Sequence, residues 1–215
     1  LYMLDNLNKR LTKLMPILTP LSLIIGVLIE DIGSQLMFLV TWLFAFMTFA
    51  GSLTLNFNSL TSFIKYPYVI LLTIAVLHIV MPLWAYLLST LVFDDHLLTI
   101  GFILSVAVPT GVTSFIWVSI SHGNKALCLS IILIDTLLSP IIMPIVVHLA
   151  IGESINIDTS SLTLDLLWMI VLPSVLAMIL NQYTHGKIEE KLGRKLAPFS
   201  KIALFLIVMI NSSII

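Results

Sequence analysis

Two ionisable side chains stand in the middle of long apolar runs. His78 lies within a run from about residue 67 to 92, and Asp135 within one from about 126 to 150. At about 1.5 Å per helical residue, both fall within a few ångströms of the midpoint of their runs. A third feature is the stretch "SVAVPTGVTSF", residues 105 to 115, which sets Pro109, Thr110 and Gly111 in the middle of an apolar run from Leu97 to Ser121. A histidine and a carboxylate in such places handle protons, cations or a substrate, and burial there is costly enough to favour a working role. The simpler alternative is a neutral side chain hydrogen-bonded to the next helix.

Pro109 lacks a backbone donor and clashes with the preceding turn, while Gly111 permits non-helical dihedrals. The expected result is two half-helices meeting near the centre of the run. The amides freed around Val112 to Ser114 form a partly positive helix start, and Thr110, Thr113 and Ser114 add hydroxyls, a combination suited to an anion. Backbone opened at that depth is tolerated only where protein buries it or a cavity receives it. A plain proline kink satisfied by neighbouring helices is the alternative.

The solvent of these elements follows from composition. The chain has 215 residues, of which 59 % are hydrophobic and 10 % charged, and its mean hydropathy is +1.13. No ordinary soluble domain has these values, and windows of about 20 residues without charge are long enough to cross a bilayer. A net charge of −1 gives no basic face for nucleic acid. The single cysteine, Cys128, excludes an internal disulfide and a multi-cysteine metal site. Nothing points to an organic cofactor. Lys9, Arg10 and Lys13 before an apolar segment resemble a signal peptide, but no small-residue cleavage site follows, so a first membrane anchor is expected.

Six hydrophobic spans are marked, at about 14–30, 35–54, 67–92, 97–121, 126–150 and 162–182, with a seventh, from 199 onward, cut short. Basic residues in short loops stay cytoplasmic. Lys9, Arg10, Lys13, Lys65, Lys125, Lys187, Lys191, Arg194, Lys195 and Lys201 all fall on one side under this count, while Glu30, Asp31, Asp94, Asp95, Glu153 and Asp158 fall on the other. The amino terminus is therefore expected in the cytoplasm of a multi-pass plasma-membrane protein. "NFNSLTSFIKYP" and "THGKIEEKLGRKLAP" are expected as interfacial connectors.

Weaker candidates have ordinary explanations. His148, Asp165 and Gln182 lie near span ends, and Trp42, Trp84, Trp117 and Trp168 are expected as lipid or packing contacts. "SPIIMP", with Pro140 and Pro144, reads as a kink, and "GSL" at 51–53 as a close helix contact. The chain starts at Leu1 and ends inside an apolar run, which reads as a fragment. Five spans from an inward start place the sixth at an outward start, so in a five-plus-five protein residues 1–150 would form the first five-helix repeat and 151–215 would open an inverted second one.

Four stretches in order, "FAGSLTLNFNSL", "VLHIVMPLWAYLL", "AVPTGVTSFIWVSISHGNKALCLSI" and "TLLSPIIMP", resemble the bile acid:sodium symporter family over about residues 35 to 150. The resemblance implies an all-α fold of ten transmembrane helices in two inverted repeats, with helices four and nine broken and crossing at the midplane. A panel domain and a core domain would rock against each other, and Pro109 to Gly111 would be the first break.

The family's sodium ligands carry over incompletely. In its "PGGTASN" motif the serine matches Ser114, but the asparagine matches Phe115. The serine and threonine of the fifth helix match Cys128 and Ile132, and the glutamine of "QFVVMP" matches His78. Sodium prefers hard oxygen donors, and of these positions only Ser114 supplies one. Asp135 adds a carboxylate where family members carry a small polar residue.

The expected function is a secondary transporter for a small or amphipathic organic anion, with the bilayer and that anion as partners. Its substrate contacts would be Thr110, Gly111, Val112 and Thr113. Ser114, His78 and Asp135 are the candidates for handling the coupling ion, sodium or proton. An intramembrane enzyme using Asp135 and His78 as acid and base is the second reading, though no nucleophile stands beside a general base and no HExxH cluster is present. A channel or passive receptor is the third.

Overall fold

The computed structural model describes residues 2–29, 32–60, 64–93, 95–109, 114, 118, 121–151 and 159–213. Every regular element among them is helical. Helix α1 is Tyr2–Leu28, α2 is Ile32–Ser52, and α3 is Pro67–Val92. Helix α4 is His96–Ala107 and α5 is Lys125–Ile151. Helix α6 covers residues 159–183, and α7 is Glu189–Ser212. Six of the seven are long and apolar enough to cross a membrane, and α4 is the shorter exception. The chain is thus an all-helical, polytopic membrane protein.

Two expected boundaries move. Lys9, Arg10 and Lys13 lie inside α1 rather than before it, because Lys, Arg and Leu are good helix formers and the helix continues past the apolar core into the polar boundary. The charged stretch expected as a connector at 184–198 is largely the start of α7 for the same reason, after a tight turn at His185 and Gly186, both with positive φ. The seventh span is therefore long enough to cross.

The chain divides into two compact units, Leu1–Asn56 with Trp168–Ile215, and Phe57–Leu167. This grouping is by contact, whereas the 1–150 and 151–215 repeats concern topology.

In the first unit α7 packs against α1 and α2. Val40, Ile207 and Ile210 form its buried apolar centre. A Cβ on Gly26 would lie 2.7 Å from Ser212 Cβ and closer still to the Met209 carbonyl, and one on Gly33 would lie 2.8 Å from the Ile210 carbonyl. Small residues at these crossings let backbones approach, which is how helices associate where lipid is as apolar as leucine. Near the other end Lys201 Nζ donates to Asn8 Oδ1 at 2.5 Å and to Thr12 Oγ1. Asn8 and Thr12 therefore meet Lys201 at the middle of α7, and Gly26 meets Met209 and Ser212 further along it, so the two run parallel.

In the second unit α5 is the most enclosed helix. Of its most apolar 18-residue window 44 % is buried, against 11 % for α3. Ala85, Ile103, Ala107 and Val146 form an apolar cluster shared by α3, α4 and α5. Asp95 caps α4 by accepting from the amides of Leu97 and Leu98 at 2.8 and 3.2 Å. Trp42, Trp84 and Trp168 are exposed, at 70, 56 and 60 %, as lipid-facing residues would be.

Candidate functional site: a broken helix and a buried histidine–carboxylate pair

Helix α4 has 12 residues, about 18 Å at 1.5 Å each, well short of the ~30 Å hydrocarbon core. It ends at Val108, whose extended backbone (φ −60°, ψ 139°) is what a following proline imposes. Pro109 is non-helical, and Ser114 is helical and half-buried. Helix α4 therefore stops ahead of Pro109. Thr110, Gly111, Val112 and Thr113, the expected substrate contacts, lie outside the described residues, as do Phe115 and Trp117.

The two ionisable residues come together. His78 Nε2 meets Asp135 Oδ1 across α3 and α5, with the aspartate fully buried. The local backbone explains the histidine's position. Residues Val76–Val80 form a π-helical turn in which the Met81 amide donates to the Val76 carbonyl, five residues back. Pro82 follows; its ring would clash with the carbonyl four residues earlier, that of His78, in a regular turn. The wider turn relieves the clash. Single π-turns of this kind recur at functional sites. The extra residue also keeps Ile70, His78, Pro82, Ala85 and Ser89, the buried residues of α3, on one face.

Asp135 sits on a helix face rich in small polar residues that satisfy themselves locally. Thr136 donates to the Ile132 carbonyl at 2.7 Å and Ser139 to that of Thr136 at 2.8 Å. Cys128 and Ile132 are buried on the same helix and present sulfur and hydrocarbon. Among the described residues, the buried side-chain atom without a hydrogen-bond partner is His78 Nδ1. His78 also forms part of the wall of a cavity of about 370 Å³ lined by Pro82, Leu83, Tyr86, Ile103 and Val146. His148 and Asp165 are exposed near helix ends, and Gln182 is exposed on α6. No cluster of three or more histidine, cysteine or acidic residues suited to a metal occurs among the described residues.

In the other unit the "GSL" contact is real and more polar than expected. Ser52 and Ser174 hydroxyls are 3.0 Å apart, and Asn181 Nδ2 donates to the Leu53 carbonyl at 2.5 Å. Sequence reasoning missed Ser174 and Asn181, although their spacing of seven puts both on one face of α6.

These features define a polytopic helical membrane protein with an interrupted helix and an ionisable pair in its interior. The family model of the sodium bile acid symporter family matches residues 40–214, and the chain belongs to that family, whose members are transporters rather than enzymes. It is 43 % identical over 202 residues to an uncharacterized protein, YbaS, of Bacillus subtilis (strain 168), covering 94 % of this chain and 66 % of that one. It is 25 % identical over 162 residues to an uncharacterized sodium-dependent transporter, YocS, of the same organism, covering 71 % and 50 %. A probable chloroplastic sodium/metabolite cotransporter of Oryza sativa subsp. japonica is 22 % identical over 186 residues, covering 83 % and 44 %. The chain thus spans from 44 to 66 % of these relatives' lengths.

Proposed function

We propose that this chain is part of a secondary active transporter that moves a small or amphipathic organic anion across the plasma membrane, driven by a cation gradient. The observation that carries the reading is the end of α4 at Val108 and Pro109, in the middle of an apolar run. Backbone opened inside a bilayer belongs where a substrate or ion is received. Family membership adds the transport class, and the names of two relatives speak of sodium-dependent transport and sodium/metabolite cotransport.

In this reading the amides and hydroxyls of Thr110, Gly111, Val112 and Thr113 take the anion at the start of the second half-helix. Residues 1–150 act as the first five-helix repeat, with a cytoplasmic amino terminus, and 151–215 as the opening of an inverted second one. The units Leu1–Asn56 with Trp168–Ile215 and Phe57–Leu167 correspond to parts of a panel and a core. Bile-acid-like sterols, keto acids and pantothenate-type acids are the substrate classes to try.

The test is uptake of radiolabelled taurocholate, pyruvate and pantothenate into sealed vesicles holding the full-length protein, with sodium or proton gradients imposed. Accumulation of one of them above its external concentration is expected. Equilibration without accumulation would indicate a channel. Orientation is tested by cysteine labelling in a Cys128→Ser background: Asp94→Cys and Glu153→Cys are expected to react from outside, and Lys65→Cys and Lys191→Cys from inside.

A further inference from the structure

We propose that α1 and the first turns of α7 form a binding site for the phosphodiester headgroup of an anionic phospholipid. The site lies within the unit Leu1–Asn56 with Trp168–Ile215, and it holds whatever the chain transports.

Charge is the first argument. Lys9, Arg10 and Lys13 are exposed on α1, and Lys191, Arg194 and Lys195 on α7. The two helices pack against each other, and Lys201 ties them by donating to Asn8 Oδ1 and Thr12 Oγ1. The acidic residues of the same two helices are Asp5, Glu189 and Glu190. Among the described residues, none of these lysines and arginines forms a salt bridge with a carboxylate. Lys9 and Lys13 stand four residues apart, and Arg10 and Lys13 three, so like charges are neighbours on the surface of α1. Such pairs repel unless an anion lies between them.

Depth selects the anion. Beyond Leu28 the chain turns acidic at Glu30 and Asp31, so the apolar part of α1 ends there. Counted back from Leu28, a hydrocarbon core of ~30 Å takes about 20 residues and ends near Asn8. Gly26 meets Met209 and Ser212, so the same count along α7 ends near Leu192. Lys9, Arg10, Lys191, Arg194 and Lys195 therefore stand at the hydrocarbon edge, where lipid phosphates lie. Lys13 starts about one turn deeper, and its long stem lets the ammonium reach back to the same level. A phosphate that belongs to the membrane meets all of these cations, whereas a soluble polyanion meets only the outermost. Basic pockets between membrane helices at this level suit anionic headgroups.

The shape is amphipathic. A cavity of about 350 Å³ is lined by Leu4, Asn6, Leu7 and Arg10. The leucines offer hydrocarbon to the glycerol and ester region of a lipid, and the Asn6 amide and Arg10 guanidinium offer donors to its phosphate. A guanidinium's planar fork suits two phosphate oxygens at once. Lys65 and Lys125, the described basic residues of the other unit, stand singly in the sequence and make natural controls.

The experiment uses the purified full-length protein, stripped of lipid in a neutral detergent and titrated with phosphatidylglycerol or phosphatidylcholine. Bound lipid is counted by native mass spectrometry in about 0.1 and 0.5 M ammonium acetate, since screening weakens exposed charge contacts. Phosphatidylglycerol is expected to bind about tenfold or more tightly than phosphatidylcholine, and less tightly at the higher salt. Arg10→Gln with Lys13→Gln, and Arg194→Gln with Lys195→Gln, are each expected to weaken it about tenfold or more, as loss of two surface cations does. Lys65→Gln should bind as the native chain does, and Arg10→Lys should lose less than the double variants. Circular dichroism checks that each variant is folded, and the lipid preference and salt dependence of the native chain decide the matter even if a double variant is not. Equal binding of the two lipids by the native protein would overturn the proposal. So would an equal loss in Lys65→Gln, which would mean diffuse attraction rather than a site. Displacement of phosphatidylglycerol by millimolar inorganic phosphate would assign the site to a free anion instead, and displacement by polyglutamate would assign it to an acidic protein; either would overturn the lipid.

Discussion

The two compact units treat buried polarity in opposite ways. In Leu1–Asn56 with Trp168–Ile215, Ser52 pairs with Ser174, Asn181 with the Leu53 carbonyl, and Lys201 with Asn8 and Thr12. These bonds join α2 to α6 and α1 to α7, and glycines at the α7 crossings bring backbones close. In Phe57–Leu167, α4 stops at Ala107, α3 widens into a π-turn, and a buried ionisable pair has one nitrogen unpartnered. One unit uses polar groups to lock helices together. The other holds an ionisable pair between α3 and α5. The comparison teaches that burial alone does not mark a working site in a membrane protein; the informative features are interrupted backbone and an incompletely satisfied ionisable group.

Variants can break this comparison. The largest effect is expected from Pro109→Ala combined with Gly111→Ala, which restores a continuous helix and withdraws the freed backbone groups. Uptake should fall by about two orders of magnitude or more, as interactions at the reacting or binding centre do when lost together, while insertion stays normal. Normal uptake in this variant would remove the break from the mechanism.

Substitutions in the locked unit should act on stability alone. Gly26→Val places side-chain atoms against the Met209 carbonyl and Ser212, and overpacking of this kind costs about 1–3 kcal/mol. Reversible unfolding in mixed micelles measures it. Asn181→Ala leaves the Leu53 carbonyl without its donor and should cost about 0.6–1.7 kcal/mol. Ser174→Ala should cost about 0.6 kcal/mol or less. In all three the preference between sodium and proton gradients should match the native protein. A changed preference in any of them would show that the unit does more than hold its helices together.

Much of this division is legible in the sequence, for identifiable reasons. Hydropathy reports where hydrocarbon surrounds the chain, so six long apolar helices and the all-helical class follow from local composition. Hydropathy does not report where a helix starts, and so Lys9, Arg10 and Lys13 read as preceding the first span although they lie inside α1. Depth along a run places His78 and Asp135 at the same level, but their meeting depends on how α3 and α5 rotate against each other. That rotation is set by the π-turn ahead of Pro82 and by the small residues of α5, neither of which leaves a hydropathy signal. The roles of Gly26 and Gly33 depend on residues nearly 200 positions away, beyond any local pattern.

The central claim is that the interruption of α4 opens onto water in the depth of the membrane. The direct measurement is the reaction of Val108→Cys, in a Cys128→Ser background, with a membrane-impermeant thiol reagent in sealed vesicles. A continuous-helix variant carrying Pro109→Ala and Gly111→Ala serves as the control. Val108→Cys is predicted to react, to be protected by a transported acid, and to lose its reactivity in the continuous-helix variant. A thiol at position 108 that stays unreactive from both sides, with and without an imposed gradient, would contradict the account.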